Sequence, residues 1–417
     1  MIEKFEDDRG ILFFPIKNNR FDVKQSTISI NKKNVLRGIH INNFDKYIIC
    51  IKGKILDIII NFNEKDVNYL NIQYFILDPT TDKYDLFIPK NYGHMFLSLE
   101  DDSTLIYYFN DIFVDENTKH INYLDPYLNI KIPIENPIIS IKDSKKNFIK
   151  PIDYIIFGGN GYIGSNIIYY LKKFNKNYIK CNLRLDNIYE IEKYINFYQP
   201  QYIINCAGLT GKPNIFWCNE HKIETIETNI TFQLTLAKIC NKNNIHLTVL
   251  GSGGIFDNDK FYTEYDNGNF NKNFYSESRI YLENIIKNYD NVLYLRINYP
   301  ISKFTSEKNL LTKLLKYNTY ESIDISISYL DNLIPILFIM IENNELGIVN
   351  FVNEGIINIV DIMNMYNNIK NYNKEIIINN NNDNSRSYAK LIIGKLKKYN
   401  PLNINDAIID CINNYCI

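Results

Sequence analysis

The rhythm of apolar residues changes once along this chain, and that change limits the fold more than any single motif. Up to about residue 143 the apolar runs are short: YIICIKGKILDIIINF (47–62), NIQYFIL (71–77), DLFIPKNYGHMFLSL (85–99), STLIYYFND (103–111). Gly, Asn and Asp separate them, the pattern of an all-β sandwich or barrel. From Tyr154 strands alternate with helices: YIIFGGNGYIGSNIIYYLKKF, NYIKCNL, NIYEIEKYINFYQ, QYIINCAG, IETIETNITFQLTLAKICNKNN, HLTVLGS. Alternation of this kind predicts a parallel sheet with helices on both faces. The polar, proline-bearing DSKKNFIKPID (143–153) separates the two rhythms. The expected domains are therefore 1–147 and 153–417.

Composition narrows the class. A chain of 417 residues calls for two or three domains, and 46% hydrophobic with 22% charged residues describes a globular protein. A net charge of −1 supplies no broad attraction to nucleic acid or anionic lipid, so neither partner is expected. MIEKFEDDRG lacks the basic and apolar regions of a signal peptide, and IPILFIMI (334–341) is too short to span a bilayer. It reads as a buried helix segment. Seven scattered cysteines suit a reducing, cytoplasmic compartment.

Gly158, Gly161 and Gly164 fall between a strand and a helix. Glycine there permits a tight turn, and the helix N-terminus presents N–H groups and partial positive charge to a pyrophosphate. Dinucleotide binding follows, with Tyr162 and Ile163 in the turn and Ala207 and Gly208 after the third strand as further contacts. The second strand ends in IKCNLRLDN, with no acid at its end to bond a ribose 2′-hydroxyl. Lys180 and Arg184 there suit the 2′-phosphate of NADPH; the alternative is that both are solvated charges, and NADH is not excluded. Asp186 is assigned to the adenine edge.

At NCAGLTGKPNIFWCNEHKIETIETN (205–229) the second half becomes specific. With GSGGIFDND, NFYSESR, LRINYPIS and GIVNFVNEG it resembles the extended short-chain dehydrogenase/reductases, and among them the plant-type nucleotide-rhamnose synthase (3,5-epimerase/4-reductase) domain. The resemblance implies a Rossmann-type doubly wound sheet and reduction of a nucleotide-linked 4-keto-6-deoxy sugar. It assigns Ser252 and Tyr275 to the catalytic set and places Arg279 where the family has Lys. Arginine keeps the charge one helical turn from the tyrosine. Its guanidinium stays protonated, so a proton relay through an amine is blocked and a slower reductase is expected. Lys212, Asn214 and Trp217 are implied substrate contacts. The family's epimerase Cys is replaced by Gly254, although Lys313 matches its Lys partner, so this half should epimerise poorly.

The first half carries DDRG (7–10), VLRGIHI (35–41), KYIICIKGKILDI (46–58), IPKNYGHMF (88–96), IYYFND (106–111), YLDPYLNIKIP (123–133) and SIKD (140–143). These resemble the cupin-fold dTDP-4-dehydrorhamnose 3,5-epimerases. The resemblance implies a jelly-roll barrel that pairs as a homodimer by exchanging N-terminal strands. It assigns His40 as base, Asp143 as its orienting carboxylate, Tyr107 as the opposing acid and Lys46 as stabiliser of the enolate oxygen. Arg9 and Arg37 become diphosphate contacts, and Gln25 a nucleotide contact. Thr27 stands where the family has Asn. His94 is either a polar group in the cavity or a satisfied core histidine. With only His40 and His94 as candidates, no metal is expected.

The two halves together describe a fusion, in which the barrel inverts carbons flanking a C4 ketone and the second half reduces that ketone with NADPH. The product is an L-rhamnose-like nucleotide sugar, with a 2-acetamido variant left open. The competing reading, kept alive by Arg279, is an NADP-binding regulatory or scaffold protein with an impaired reductase half.

Overall fold

A computed structural model describes residues 3–14, 21–145, 147–183, 187–211, 214–257, 260–379 and 385–416. Contacts divide the chain into Met1–Pro151 and Ile152–Ile417.

Two antiparallel sheets build the first unit. One runs in the order Gln25–Asn31, Ser103–Phe109, Lys46–Lys52, Asp85–Ile88. The other runs Lys119–His120, Val35–Ile41, Tyr92–Ser98, Ile55–Asn61, Ile72–Leu77, with Ile138–Ile139 also pairing Val35–Ile41. Ile48, Cys50 and Leu105 of the first sheet pack on Ile55, Ile59 and Phe96 of the second. The larger sheet is apolar on its other face too, where Leu36, Ile39, Ile58, Ile60, Met95 and Leu97 meet Ile121 and Leu128 of the returning chain. Burial on both faces explains why ILDIIIN is almost continuously apolar instead of alternating. This is the expected cupin-type jelly roll.

Six parallel strands form the second unit, in the order Tyr178–Cys181, Tyr154–Phe157, Tyr202–Asn205, His246–Leu250, Val292–Arg296, Gly347–Asn350. The first strand lies between the second and third, so the order reverses beside it, and open α/β sheets bind ligands at such a switch point. Helix Leu330–Glu342 buries Leu333, Leu337 and Ile341 in this core, and it contains the apolar segment expected to be a buried helix. Helices Leu310–Lys316, Ile359–Lys370 and Ile404–Asn414 share a separate apolar cluster. Among the described residues no helix is long and apolar enough to cross a membrane.

Arg296, fully buried at the end of its strand, ties helix Phe274–Ile286 to the sheet. Its Nε and Nη2 donate to the two Glu283 oxygens at 2.9 and 2.6 Å. Nη1 donates to Thr263 O and Asn350 Oδ1, and Nη2 also donates to Asp266 O. Every guanidinium nitrogen is engaged, which is what a buried ion pair needs to offset desolvation. Arg296→Ala leaves the Glu283 carboxylate buried without its partner. The expected cost is about 3–5 kcal/mol, read as a lower midpoint in urea unfolding of the second unit.

Candidate functional sites

In the barrel, strand register brings the chemistry together. His40 and His94 are direct cross-strand partners in the larger sheet. In the smaller sheet Lys46 faces Phe109 and Ile48 faces Tyr107, so Lys46 and Tyr107 point to one side. The register shifts between Arg37 and His40. Gly38, at φ +114°, makes this close approach: a Cβ there would lie 2.4 Å from His94 O. Such irregularities re-aim side chains. A cavity of about 390 Å³ opens between the sheets, lined by Arg37, His40, Lys46, His94, Tyr107 and Thr27 among others.

Asp143 Oδ1 lies 2.7 Å from His40 Nε2. A carboxylate accepts only, so Nε2 carries the proton and Nδ1 keeps a lone pair. Burial opposes ionisation of Asp143, but His40, the Ser140 hydroxyl and the Gly38 backbone outweigh it and hold the carboxyl down to about 2. Burial lowers Lys46 to about 8 against the attraction of Asp57. Burial, then Asp57, pushes the Tyr107 phenol well above its usual range, so it stays protonated.

His94 is buried with Nε2 2.8 Å from Asp57 Oδ2, and burial lowers its pKa. It both lines the cavity and has a core partner, so the two sequence alternatives merge. Arg37 donates from Nε to Asn31 Oδ1 and lines the cavity. Two expected contacts stand elsewhere. Arg9 lies in the turn of the hairpin Glu3–Asp7/Gly10–Phe14, paired with Asp7 and 90% exposed, and does not line this cavity. Gln25 accepts from the Phe113 backbone N–H at 2.7 Å, bracing the segment beside the cavity. The sequence reading missed Asp57 and His120. His120 stands edge-on to His40, ring centroids 4.6 Å apart, with Nδ1 3.4 Å from Asp143 Oδ1. Burial, then His40, lowers its pKa.

In the second unit the glycine turn meets the end of the third strand. Gly158 has φ +68°, and a Cβ on it would sit 2.5 Å from Ala207 N; one on Gly164 would sit 2.4 Å from Gly158 O. Gly161 caps helix Tyr162–Lys173, whose Tyr162 and Ile163 pack on the core. Asn205 accepts from Ala207 N, and Gln233 donates to Ala207 O. Asn229 both accepts from Leu209 N and donates to Leu209 O. These amides lock the loop that carries Ala207 and Gly208, a role sequence spacing did not reveal. Lys180 donates to Asn160 Oδ1 beside the turn. Arg184, Asp186 and Lys212 lie outside the described residues.

Ser252 is buried, and its Oγ accepts from Gly254 N at 3.1 Å, leaving its O–H to donate elsewhere. Tyr275 and Arg279 share helix Phe274–Ile286, with the guanidinium 5.4 Å from the phenol ring centroid. Arg279 is buried, Nη2 lies against Gly208, and Nε and Nη1 have no hydrogen-bond partner among the described residues. A buried cation with unpaired donors demands acceptors. Ribose hydroxyls of a nicotinamide dinucleotide would supply them, so the residues fit that cofactor. Asn214 accepts from Phe216 N, and Trp217 stacks on His221 at 3.7 Å.

A cupin-type barrel with a His–Asp pair in its cavity, joined to a parallel-sheet unit with a glycine turn at the switch point of its sheet, defines an epimerase–reductase. Residues 1–150 match the dTDP-4-dehydrorhamnose 3,5-epimerase family, and residues 154–316 match the NAD dependent epimerase/dehydratase family. A bifunctional dTDP-4-dehydrorhamnose 3,5-epimerase/dTDP-4-dehydrorhamnose reductase of Arabidopsis thaliana is 34% identical over 235 residues, 54% of this chain and 78% of that protein. A trifunctional Arabidopsis UDP-glucose 4,6-dehydratase/3,5-epimerase/UDP-4-keto-L-rhamnose reductase is 33% identical, over 52% of this chain but only 34% of its own length. The solved L780 UDP-rhamnose synthase of Acanthamoeba polyphaga mimivirus superposes with a TM-score of 0.60 at 27% identity, over 64% of this chain and 100% of that one. The chain belongs to the bifunctional 3,5-epimerase/4-reductase family of nucleotide-rhamnose synthases.

Gly158→Ala tests the glycine turn. The added methyl meets backbone, which cannot give way, so NADPH binding followed by cofactor fluorescence should be lost while circular dichroism is unchanged.

Proposed function

We propose that this chain epimerises a nucleotide-linked 4-keto-6-deoxyhexose at C3, C5 or both in residues 1–147 and then reduces the C4 ketone with NADPH in residues 153–417. The observation that carries the reading is the His40–Asp143 pair opening on a cavity shared with Lys46 and Tyr107. UDP is preferred to dTDP as the nucleotide, and the product is L-rhamnose-like.

In the barrel, His40 Nδ1 takes the proton from the carbon beside the ketone, and Asp143 stabilises the imidazolium. The electron pair moves onto the ketone oxygen, where the Lys46 ammonium meets the developing charge. Tyr107, from the other sheet, returns a proton to the opposite face and is reprotonated from solvent. In the second unit Gly254 offers no thiol, so proton removal and return are left to the barrel. NADPH, when bound, supplies hydride to C4. Tyr275 gives the C4 oxygen its proton, the Ser252 hydroxyl orients that oxygen, and Arg279 holds positive charge beside the phenol. Reduction removes the acidity that lets epimers interconvert, so it draws the preceding equilibrium forward. Fusion raises the local concentration of the intermediate.

A homodimer accounts for the hairpin. Phe5, Leu12 and Phe14 are 58, 57 and 43% exposed there, and Ile28 and Ile30 are exposed at the cavity rim. Exchange of hairpins would cover these residues and carry Arg9 to the partner's cavity. A cytoplasmic setting suits the seven unpaired thiols.

The test is to mix the full chain, NADPH and UDP- or dTDP-4-keto-6-deoxyglucose in deuterated water, with NMR of the product. His40→Ala should abolish deuterium incorporation beside the ketone and spare NADPH binding. Tyr275→Phe should keep incorporation and slow NADPH oxidation by about a hundredfold or more. Persistent exchange in His40→Ala would remove the epimerase from the barrel; no NADPH oxidation by the wild type would favour a regulatory role.

Lys46 sets a pH limb. Its folded pKa is lowered to about 8, so charge on the enolate stabiliser is present below that pH and lost above it. Deuterium exchange should fall by roughly tenfold per pH unit on the alkaline side. Lys46→Arg, which stays charged, should be slower overall but free of that limb.

A further inference from the structure

Two histidines from separate strands of the barrel converge on one carboxylate oxygen. His40 comes from the core strand Val35–Ile41, His120 from the short strand Lys119–His120 beside it, and Asp143 from the returning tail. Asp143 Oδ1 is 2.7 Å from His40 Nε2 and 3.4 Å from His120 Nδ1, and one ligand atom from each residue lies within 4.8 Å of the others. On its far side His120 Nε2 is buried without a hydrogen-bond partner among the described residues, 3.8 Å from Asp115 Oδ1.

One proton cannot serve both sides of His120. A neutral imidazole has one N–H, and His120 has Asp143 off Nδ1 and, at 3.8 Å, Asp115 off Nε2, a carboxylate that also pairs with Lys142. If Nδ1 carries the proton, the Nε2 lone pair faces Asp115. If Nε2 carries it, the Nδ1 lone pair faces Asp143. A second cation between Nδ1 and Asp143 would remove the second conflict and leave the Nε2–H for Asp115.

We infer that His40 Nε2, His120 Nδ1 and Asp143 Oδ1 form a site for a divalent transition-metal ion of the Zn²⁺ type, and that its occupation switches the epimerase off. The inference rests on the barrel reading given above. Two imidazoles and one carboxylate are a Zn²⁺ donor set, not one for Mg²⁺ or Ca²⁺. Tetrahedral bonds of about 2.0–2.1 Å place ligand atoms roughly 3.4 Å apart. The His120–Asp143 spacing already meets that value, and the His40–Asp143 contact must open slightly. Three protein ligands leave a fourth position for water.

Inhibition follows from tautomer chemistry. In the metal-free pair the single His40 proton sits on Nε2, and Nδ1 is the base. A metal on Nε2 needs that lone pair, so the proton of the neutral ring shifts to Nδ1. The metal thereby puts a hydrogen where the substrate's proton must go. It also takes Asp143 away from stabilising an imidazolium.

Co²⁺ titration of the full chain in a Cys416→Ser background, which removes the exposed thiol, reads the site directly. The expected result is visible ligand-field absorption saturating at one equivalent, absent in His120→Asn and in His40→Asn with folding verified by circular dichroism. Zn²⁺ should inhibit wild-type deuterium exchange reversibly with EDTA, leave NADPH binding untouched, and require about tenfold or more higher concentration in His120→Asn. No Co²⁺ absorption in the wild type, or absorption unchanged in His120→Asn, overturns the site. Because the Co²⁺ signal does not depend on turnover, failure of the epimerase reading and failure of the metal site give different results.

Discussion

A buried carboxylate must find donors, and in the barrel Asp143 finds them 103 residues back along the chain at His40. That one requirement organises the tail. Ser140 Oγ accepts from the Asp143 backbone N–H, fixing the turn that carries the carboxylate. Asn122 donates to Ser144 O and Lys145 O, and Asp125 accepts from Ile149 N, so the segment is stitched down on both sides. Beneath it Ile121 and Leu128 cover the outer face of the larger sheet. The same hydrogen bond that sets the tautomer of His40 thus holds the last turn of the barrel in place.

Two buried arginines on the reductase side show how satisfaction separates structure from function. Arg296 engages every guanidinium nitrogen and locks Glu283. Arg279, one turn from Glu283 on the same helix, lies against Gly208 and leaves Nε and Nη1 without partners among the described residues. A fold does not keep a buried cation partly unpaired without a reason, because the desolvation of those donors is not recovered. The first arginine holds the helix; the second keeps donors open among the described residues. Arg279 also stands over Tyr275, its guanidinium 5.4 Å from the ring centroid.

Much of this was legible before folding. The short apolar runs and the strand–helix rhythm separated the two architectures, and His40, Lys46, Tyr107 and Ser252 sat in long motifs in a consistent order. Asp57, Asn229 and Gln233 were not legible, because a lone Asp in an apolar strand or an amide in a helix announces nothing until its partner is known. His120 was missed for a related reason. It lies on a two-residue strand in a polar stretch, and only the pairing of Lys119–His120 with Ile41 and His40 brings it to the base. Arg9 shows the converse, a residue recognisable by motif whose hairpin stands away from its own cavity.

The amino-acid order determined the two fold classes, the glycines that let Gly158 approach Ala207, and the residue types needed for proton abstraction, because these depend on local periodicity and side-chain chemistry. Tertiary structure alone decided which nitrogen of His40 is free, that His94 is shared between cavity and core, and that a second histidine faces Asp143. Those outcomes depend on strand register and on distances between residues far apart in the chain, where a shift of one position turns every side chain to the other face.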